Sequence, residues 1–173
     1  MTFTEAVKAC LSKYITFSGR ASRSEYWWFF LFLLLGSFVM SLVDSLLFGF
    51  EPSDAHPEAQ GPLAGLFGLA TFLPALAAGW RRMHDSGRSG LYLLYPLIAM
   101  IGVGSFAAMT GVMGGMFPGP DAPAADPGGL TMVVMILAGI VLALSPLFVL
   151  WWLTRPSTPG PNPYGPNPHE VLT

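Results

Sequence analysis

Four long apolar runs constrain this chain more than any motif in it. They cover roughly residues 26–50, 63–80, 91–117 and 130–153, and together they hold a single charged side chain, Asp44. An α-helix needs about 20 apolar residues to cross the hydrocarbon core of a bilayer, with a working range of about 17–25. The second run is short but adequate. The third is long and glycine-rich, which predicts a tilted helix or a frayed outer end. Open sheet edges do not survive in lipid, because their backbone polar groups find no partners there. The runs are therefore read as helices. Composition agrees, since only 10% of the 173 residues are charged, against about 25% in a soluble domain. The first run is too long for a signal-peptide core, and no small-residue cleavage site follows it. The expected fold is an all-α integral membrane protein, a four-helix transmembrane bundle. It forms a single membrane domain over 1–153, followed by a Pro-rich tail over 154–173.

The basic residues orient these spans. Lys8, Lys13, Arg20 and Arg23 precede the first, Arg81, Arg82 and Arg88 lie between the second and third, and Arg155 follows the fourth. The other two loops carry only acids: Glu51, Asp54, Glu58, Asp121 and Asp126. All eight basic residues thus fall on one side, which the positive-inside rule makes cytoplasmic. Both termini are expected inside. Trp27, Trp28, Trp80, Trp151 and Trp152 all sit at the same ends of their spans, where indole rings favour the headgroup level.

Several local patterns add detail. Phe3, Val7, Cys10, Tyr14 and Phe17 recur at helical spacing, predicting an amphipathic N-terminal helix on the cytoplasmic leaflet. The six prolines between Pro156 and Pro168 exclude a regular helix there, so the tail should run extended. Pro74, Pro96 and Pro146 interrupt spans two, three and four at similar depth. Each should kink its helix and leave the carbonyl of Ala70, Tyr92 or Leu142 without its usual donor. Ala107, Gly111 and Gly115, and likewise Ser37, Ser41 and Ser45, form small-residue ridges suited to close helix packing. Asp44 is near enough to the outer end to reach the interface, although an intramembrane acid is also a candidate for a proton or ion role.

Two polar stretches abut the spans: Gly19-Arg20-Ala21-Ser22-Arg23-Ser24-Glu25-Tyr26-Trp27-Trp28 and Arg81-Arg82-Met83-His84-Asp85-Ser86-Gly87-Arg88-Ser89-Gly90. The topology puts both at the cytoplasmic headgroup level. Arg20, Arg23, Arg81, Arg82 and Arg88 face Glu25 and Asp85, with His84 between them. Guanidinium forks fit carboxylate and phosphate equally. Two uses follow. Glu25 and Asp85 pair with arginines of the opposite stretch and staple span one to the two–three hairpin. The excess positive charge, from Arg20, Arg81, Arg82 and Arg88 with Trp27 and Trp80 beside them, holds anionic lipid headgroups. Catalysis is not expected. His84 and Asp85 are adjacent, so their side chains diverge, and no nucleophile elbow accompanies Ser86. The single cysteine and three scattered histidines give no metal-ligand spacing. A net charge of −2 gives no global basic field for nucleic acid.

Phe17-x-Gly19-Arg20-Ala21-Ser22-Arg23-Ser24-Glu25-Tyr26-Trp27 and Arg81-Arg82-Met83-His84-Asp85-x-Gly87-x-Ser89-Gly90 resemble the paired signatures of the bacterial inner-membrane family called domain of unknown function 805 (YhaH-like). Asn162-Pro163-Tyr164-Gly165 resembles that family's usual ending. Met83 and Leu91 depart from its common residues. The resemblance implies a small multi-span protein of the bacterial inner membrane and brings no activity or catalytic residue. The expected role is non-enzymatic and structural or interaction-based, without cofactor or metal. Its partners are membrane lipids and a membrane protein or second copy, not nucleic acid. A small transporter or channel component, or an enzyme acting on lipid or phosphate, are the alternatives.

Overall fold

The computed structural model describes residues 1–49, 61–111, 128–168 and 170. The acidic residues of loops 51–62 and 118–129, and Gly115 of the third-span ridge, lie outside them. The regular elements among the described residues are helices. They are α1 (Phe3–Ser12), α2 (Arg23–Phe48), α3 (Pro62–Asp85), a 3-10 turn (Gly90–Leu94), α4 (Tyr95–Met109) and α5 (Gly128–Thr154). Four are long and apolar enough to cross a membrane, the third counted with its preceding 3-10 turn. The described residues group into two compact units: Met1–Gly90 with Arg155–Thr173, and Leu91–Thr154.

In the first unit, α2 and α3 pack as an antiparallel hairpin and α1 lies across both. Thr2 caps α1, and Glu5 returns a bond to the Thr2 backbone, a capping box that satisfies two orphan donors. The stripe read from the sequence is partly buried: Cys10 packs with Phe29 and Ala78, and Val7 lies against them. Phe3, Leu11 and Ile15 remain exposed. Phe67 of α3 lies over Gly36 of α2, so closely that a Cβ on Gly36 would stand 2.3 Å from the ring.

Asp44 of α2 is engaged by the first turn of α3. It is buried, and its two oxygens accept from the backbone N–H groups of Leu63 (3.0 Å) and Ala64 (2.8 Å). The first amides of α3 have no partner within their own helix. Gly61, at the cap position, has no side chain to offer. The neighbouring helix supplies the cap instead, and a carboxylate suits the positive end of the helix dipole. A Cβ on Gly61 would lie 2.3 Å from the carboxyl carbon, so only glycine lets Asp44 approach.

The prolines behave differently from one another. Pro74 and Pro146 sit inside α3 and α5. The carbonyl that each would leave orphaned finds a hydroxyl: Tyr14 donates to Ala70, and Ser145 donates to Leu142 at 2.7 Å. Pro96 does not interrupt a helix. The chain turns through Gly90–Leu94 first, and Pro96 falls in the opening turn of α4, where its missing N–H costs nothing. The helix ends at Met109, and Gly111 adopts a left-handed φ of 71°. The ridge expected through Gly111 therefore stops before it.

In the second unit α4 and α5 pack together, with Tyr92 and Tyr95 set edge-on to Trp152 at 5.1 and 6.1 Å. Most of the remaining apolar surface of α5 is exposed, as a lipid-facing helix requires.

Candidate functional site

Both polar stretches sit at the same end of the α2–α3 hairpin, and the backbone there is built to bring them together. Ser22 caps α2, accepting from the Glu25 N–H at 3.2 Å. At the end of α3, Gly87 takes φ 76°. Its N–H reaches the His84 carbonyl (3.0 Å) while that of Arg88 reaches Met83 (3.0 Å). This is a Schellman termination, which needs glycine at the left-handed position. The Ala21 N–H then donates to the Arg81 carbonyl at 3.1 Å, tying the two stretches through the main chain.

The ions cross between the stretches. Arg81 meets Glu25 at 2.7 Å, and Arg20 meets Asp85 at 3.0 Å. Arg82 shares the same Asp85 at 2.5 Å from within its own helix. All of these side chains are buried. The Ser22-x-x-Glu25 spacing reads as a capping box, yet the Glu25 carboxylate does not turn back to the cap. It accepts from Arg81 and from the Cys10 thiol, at 3.8 Å. Arg81 also donates from Nε to the Ala77 carbonyl (3.2 Å), while its Nη2 is buried without a hydrogen-bond partner. Burial raises the Cys10 thiol to about 12, with the Glu25 charge adding to the effect.

The tail does not run as a bare extended segment. It folds back against the end of α3 and is held by the same ions. Arg20 donates to the carbonyls of Thr158 (2.7 Å) and Gly160 (2.8 Å). Ser157 donates to the Asp85 carboxylate at 2.5 Å, and the Thr158 N–H donates to the Asp85 carbonyl at 2.9 Å. Arg82 donates to the Arg155 carbonyl. Further along, Asn162 accepts from the Tyr164 N–H (2.9 Å) and donates to the His84 carbonyl (2.9 Å). That Asx turn lays the Tyr164 ring flat on His84, with centroids 3.8 Å apart and planes 5° from parallel.

His84, Asp85 and Ser86 are not arranged as a triad. His84 Nδ1 faces the Gly19 carbonyl at 3.1 Å, Ser86 donates to the Met83 carbonyl at 3.0 Å, and the Asp85 carboxylate faces arginines and Ser157. Among the described residues no three His, Cys, Asp or Glu side chains converge as a metal site. Arg23 stands exposed at the start of α2 and makes no ion pair among the described residues. Arg88 is half-buried and donates to the Ser86 carbonyl. Trp80 is edge-on to Phe17 at 5.7 Å, with Gly90 pressed against its indole. Trp27 packs on Tyr26 and Phe30. Sequence reasoning missed the tail residues Ser157, Thr158, Gly160 and Asn162 as members of this cluster. The Asn-Pro-Tyr-Gly turn was the available signal.

Fold and site together define an all-helical integral membrane protein whose α2–α3 hairpin is tied at one end by buried ion pairs. The chain belongs to the family described as protein of unknown function (DUF805), whose model matches residues 14–166. It is 37% identical to the inner membrane protein YhaH of Escherichia coli (strain K12) over 114 residues, covering 64% of this chain and 90% of that one. It is 39% identical to the inner membrane protein YhaI of the same strain over 94 residues, covering 53% of this chain and 70% of that one. No solved structure matches it.

Proposed function

We propose that this chain is a non-enzymatic protein of the bacterial inner membrane, with both termini cytoplasmic. It works by holding other molecules at its Arg-rich end: anionic lipid headgroups and a membrane-protein partner or second copy. The observation that carries this reading is the crossing of the ions. Arg20, Arg81 and Arg82 are buried against Asp85, Glu25 and tail carbonyls, an arrangement suited to holding and ill suited to reacting. These three arginines supply a fixed positive field from behind. Direct headgroup contact falls to Arg88, with the Trp27 and Trp80 indoles at the same level. The inner-membrane assignment draws on the relatives, and the orientation on the placement of all eight basic residues.

Native mass spectrometry of the mildly extracted protein tests the reading, because stoichiometry, retained lipid and partners are read together. Anionic lipid or a protein partner at defined stoichiometry is expected. A bare monomer that carries neither would refute it.

A further inference from the structure

α1 carries three faces, and only one of them packs on the protein. Ala6 and Cys10 are buried, with Cys10 set against Phe29 and Ala78 of the α2–α3 hairpin. Phe3, Val7 and Leu11 recur at four-residue spacing along one flank, so they share a face. Ile15 continues that line past the helix end. Phe3, Leu11 and Ile15 are exposed, Ile15 by 67%. One residue further round, Thr4, Lys8 and Ser12 form an exposed polar flank.

The contacts of α1 fix how it lies. Phe3 is edge-on to Trp28 at 6.0 Å, and Cys10 packs on Phe29. Seven residues of α1, about 10 Å of helix, thus separate two contacts on neighbouring residues of α2. α1 therefore crosses α2, and lies parallel to the bilayer surface when α2 spans it. Phe29 is one turn, about 6 Å, into the span from Glu25. Interfacial helices bury their apolar faces about 5–10 Å into the boundary between headgroups and acyl chains. Tyr14 marks the inward side. It follows Cys10 by four residues and Leu11 by three, and its hydroxyl donates to the Ala70 carbonyl, eleven residues into α3 from Arg81. The deep side of α1 is thus the Phe3–Leu11 flank. Through Phe3 that flank joins Trp28, Leu31 and Leu35, an exposed face of α2 that lipid covers in a spanning helix.

The charges lie off that flank. Lys8, Lys13 and Arg23 are exposed and enter no ion pair among the described residues. The acids around them are engaged. Glu5 accepts from the Thr2 backbone, Glu25 and Asp85 hold buried arginines, and Glu170 of the tail accepts from Gly160 and Asn167. We propose that α1 is a lipid-docking surface on an anionic leaflet. Phe3, Leu11 and Ile15 sit among its acyl chains, and Lys8, Lys13 and Arg23 hold its headgroups. The proposal rests on the cytoplasmic, lipid-binding reading above and adds a contact surface separate from Arg88.

The test uses the full chain in nanodiscs of equimolar phosphatidylglycerol and phosphatidylcholine. A thiol-reactive fluorophore is placed at Leu11→Cys, Ile15→Cys, Thr4→Cys or Ser12→Cys, with wild type as the blank because Cys10 is buried. All four positions are exposed, so the fold should hold. Labels at 11 and 15 are expected to be quenched by doxyl-labelled lipid and shielded from aqueous iodide. Labels at 4 and 12 should show the reverse. Four labels that behave alike would overturn the two-sided seat. Labels at 11 and 15 shielded from both quenchers would also overturn it, and would mean a protein covers that flank.

Native mass spectrometry from mixed micelles of the same two lipids then reads the charges. Retention of phosphatidylglycerol over phosphatidylcholine should fall about fivefold for each of Lys8→Gln, Lys13→Gln and Arg23→Gln. Arg88→Gln separates the two readings. A preference lost only in Arg88→Gln would overturn the headgroup role of α1 and leave the Arg88 contact standing. A preference lost only in the other three would support α1 and overturn the Arg88 contact. A preference unchanged in all four would overturn both.

Discussion

Removing one member of the Glu25–Arg81 pair should cost far more than removing both. Arg81 is 1% exposed and Glu25 6%, with 2.7 Å between the charged atoms. At an effective dielectric constant of about 20 their attraction is about 6 kcal/mol, most of it offset by desolvation. Glu25→Gln strands a buried guanidinium whose Nε bonds only to Ala77 and whose Nη2 already has no partner. Stranding a buried charge costs about 3–5 kcal/mol. For a protein of this length that lowers Tm by about 6–20 °C. Arg81→Met strands Glu25 and should cost a similar amount, moderated by the Cys10 thiol. The double variant Glu25→Gln, Arg81→Met leaves no unpaired charge and should recover most of the loss. Thermal unfolding of the purified protein in one detergent, run on all four proteins, yields the coupling energy directly. Additive losses, or no loss in either single variant, would refute the burial argument.

Other outcomes follow from the same structure. Asp44→Ala should destabilise by about 1.5–3 kcal/mol, the range for hydrogen bonds to a charged acceptor, and Gly61→Ala should do the same by pushing Asp44 off the α3 terminus. Thermal unfolding of the two singles and the double checks this, since a shared mechanism makes the double no worse than Asp44→Ala. Cys10, with its thiol near 12, holds about one part in ten thousand as thiolate at pH 8. It should resist maleimide until the protein is unfolded, as mass shift after timed labelling would record. Tyr164→Ala should loosen the tail from His84 and expose it to limited proteolysis, with the helical circular dichroism unchanged. Reporter fusions at either terminus should both report the cytoplasm, and a periplasmic signal from one would break the proposed topology.

Much of this architecture was legible from composition and pattern, because spans are written in long apolar runs that tertiary context rarely overrides. The orphaned carbonyls were legible too: Ala70 and Leu142 follow from the positions of Pro74 and Pro146, and both are met by hydroxyls. Pro96 was misplaced because a 3-10 turn precedes α4, and nothing in hydropathy separates a helix start from a helix interior. The tail was misread for a related reason. A proline-rich segment carries no periodicity, so its docking depends on individual carbonyls and one Asx turn, not on a pattern. Asp44 was visible as an anomaly, but its role required knowing that α3 begins opposite it with a glycine in the cap position.

The placement of these polar groups explains why so expensive an arrangement stands in so apolar a chain. Buried ion pairs are poor sources of stability when compared with apolar packing. In lipid, however, helices gain nothing from burying apolar surface against each other, so apolar faces alone leave the register of α2 against α3 loosely set. Here the hairpin is pinned at two points. Glu25 meets Arg81 near one end, and Asp44 meets the amides of Leu63 and Ala64 near the other. Nineteen residues separate Glu25 from Asp44 along α2, about 28 Å of helix at about 1.5 Å per residue. The hydrocarbon core is about 30 Å thick. The two pins therefore fall near its two boundaries, where a charge can be partly buried without being carried to the bilayer midplane. Sliding α3 by one turn would break both at once, leaving a stranded arginine at one end and uncapped amides at the other. The polar residues of this hairpin thus select one register among many that apolar packing would tolerate. The Arg20–Asp85 pair extends the same selection to the tail.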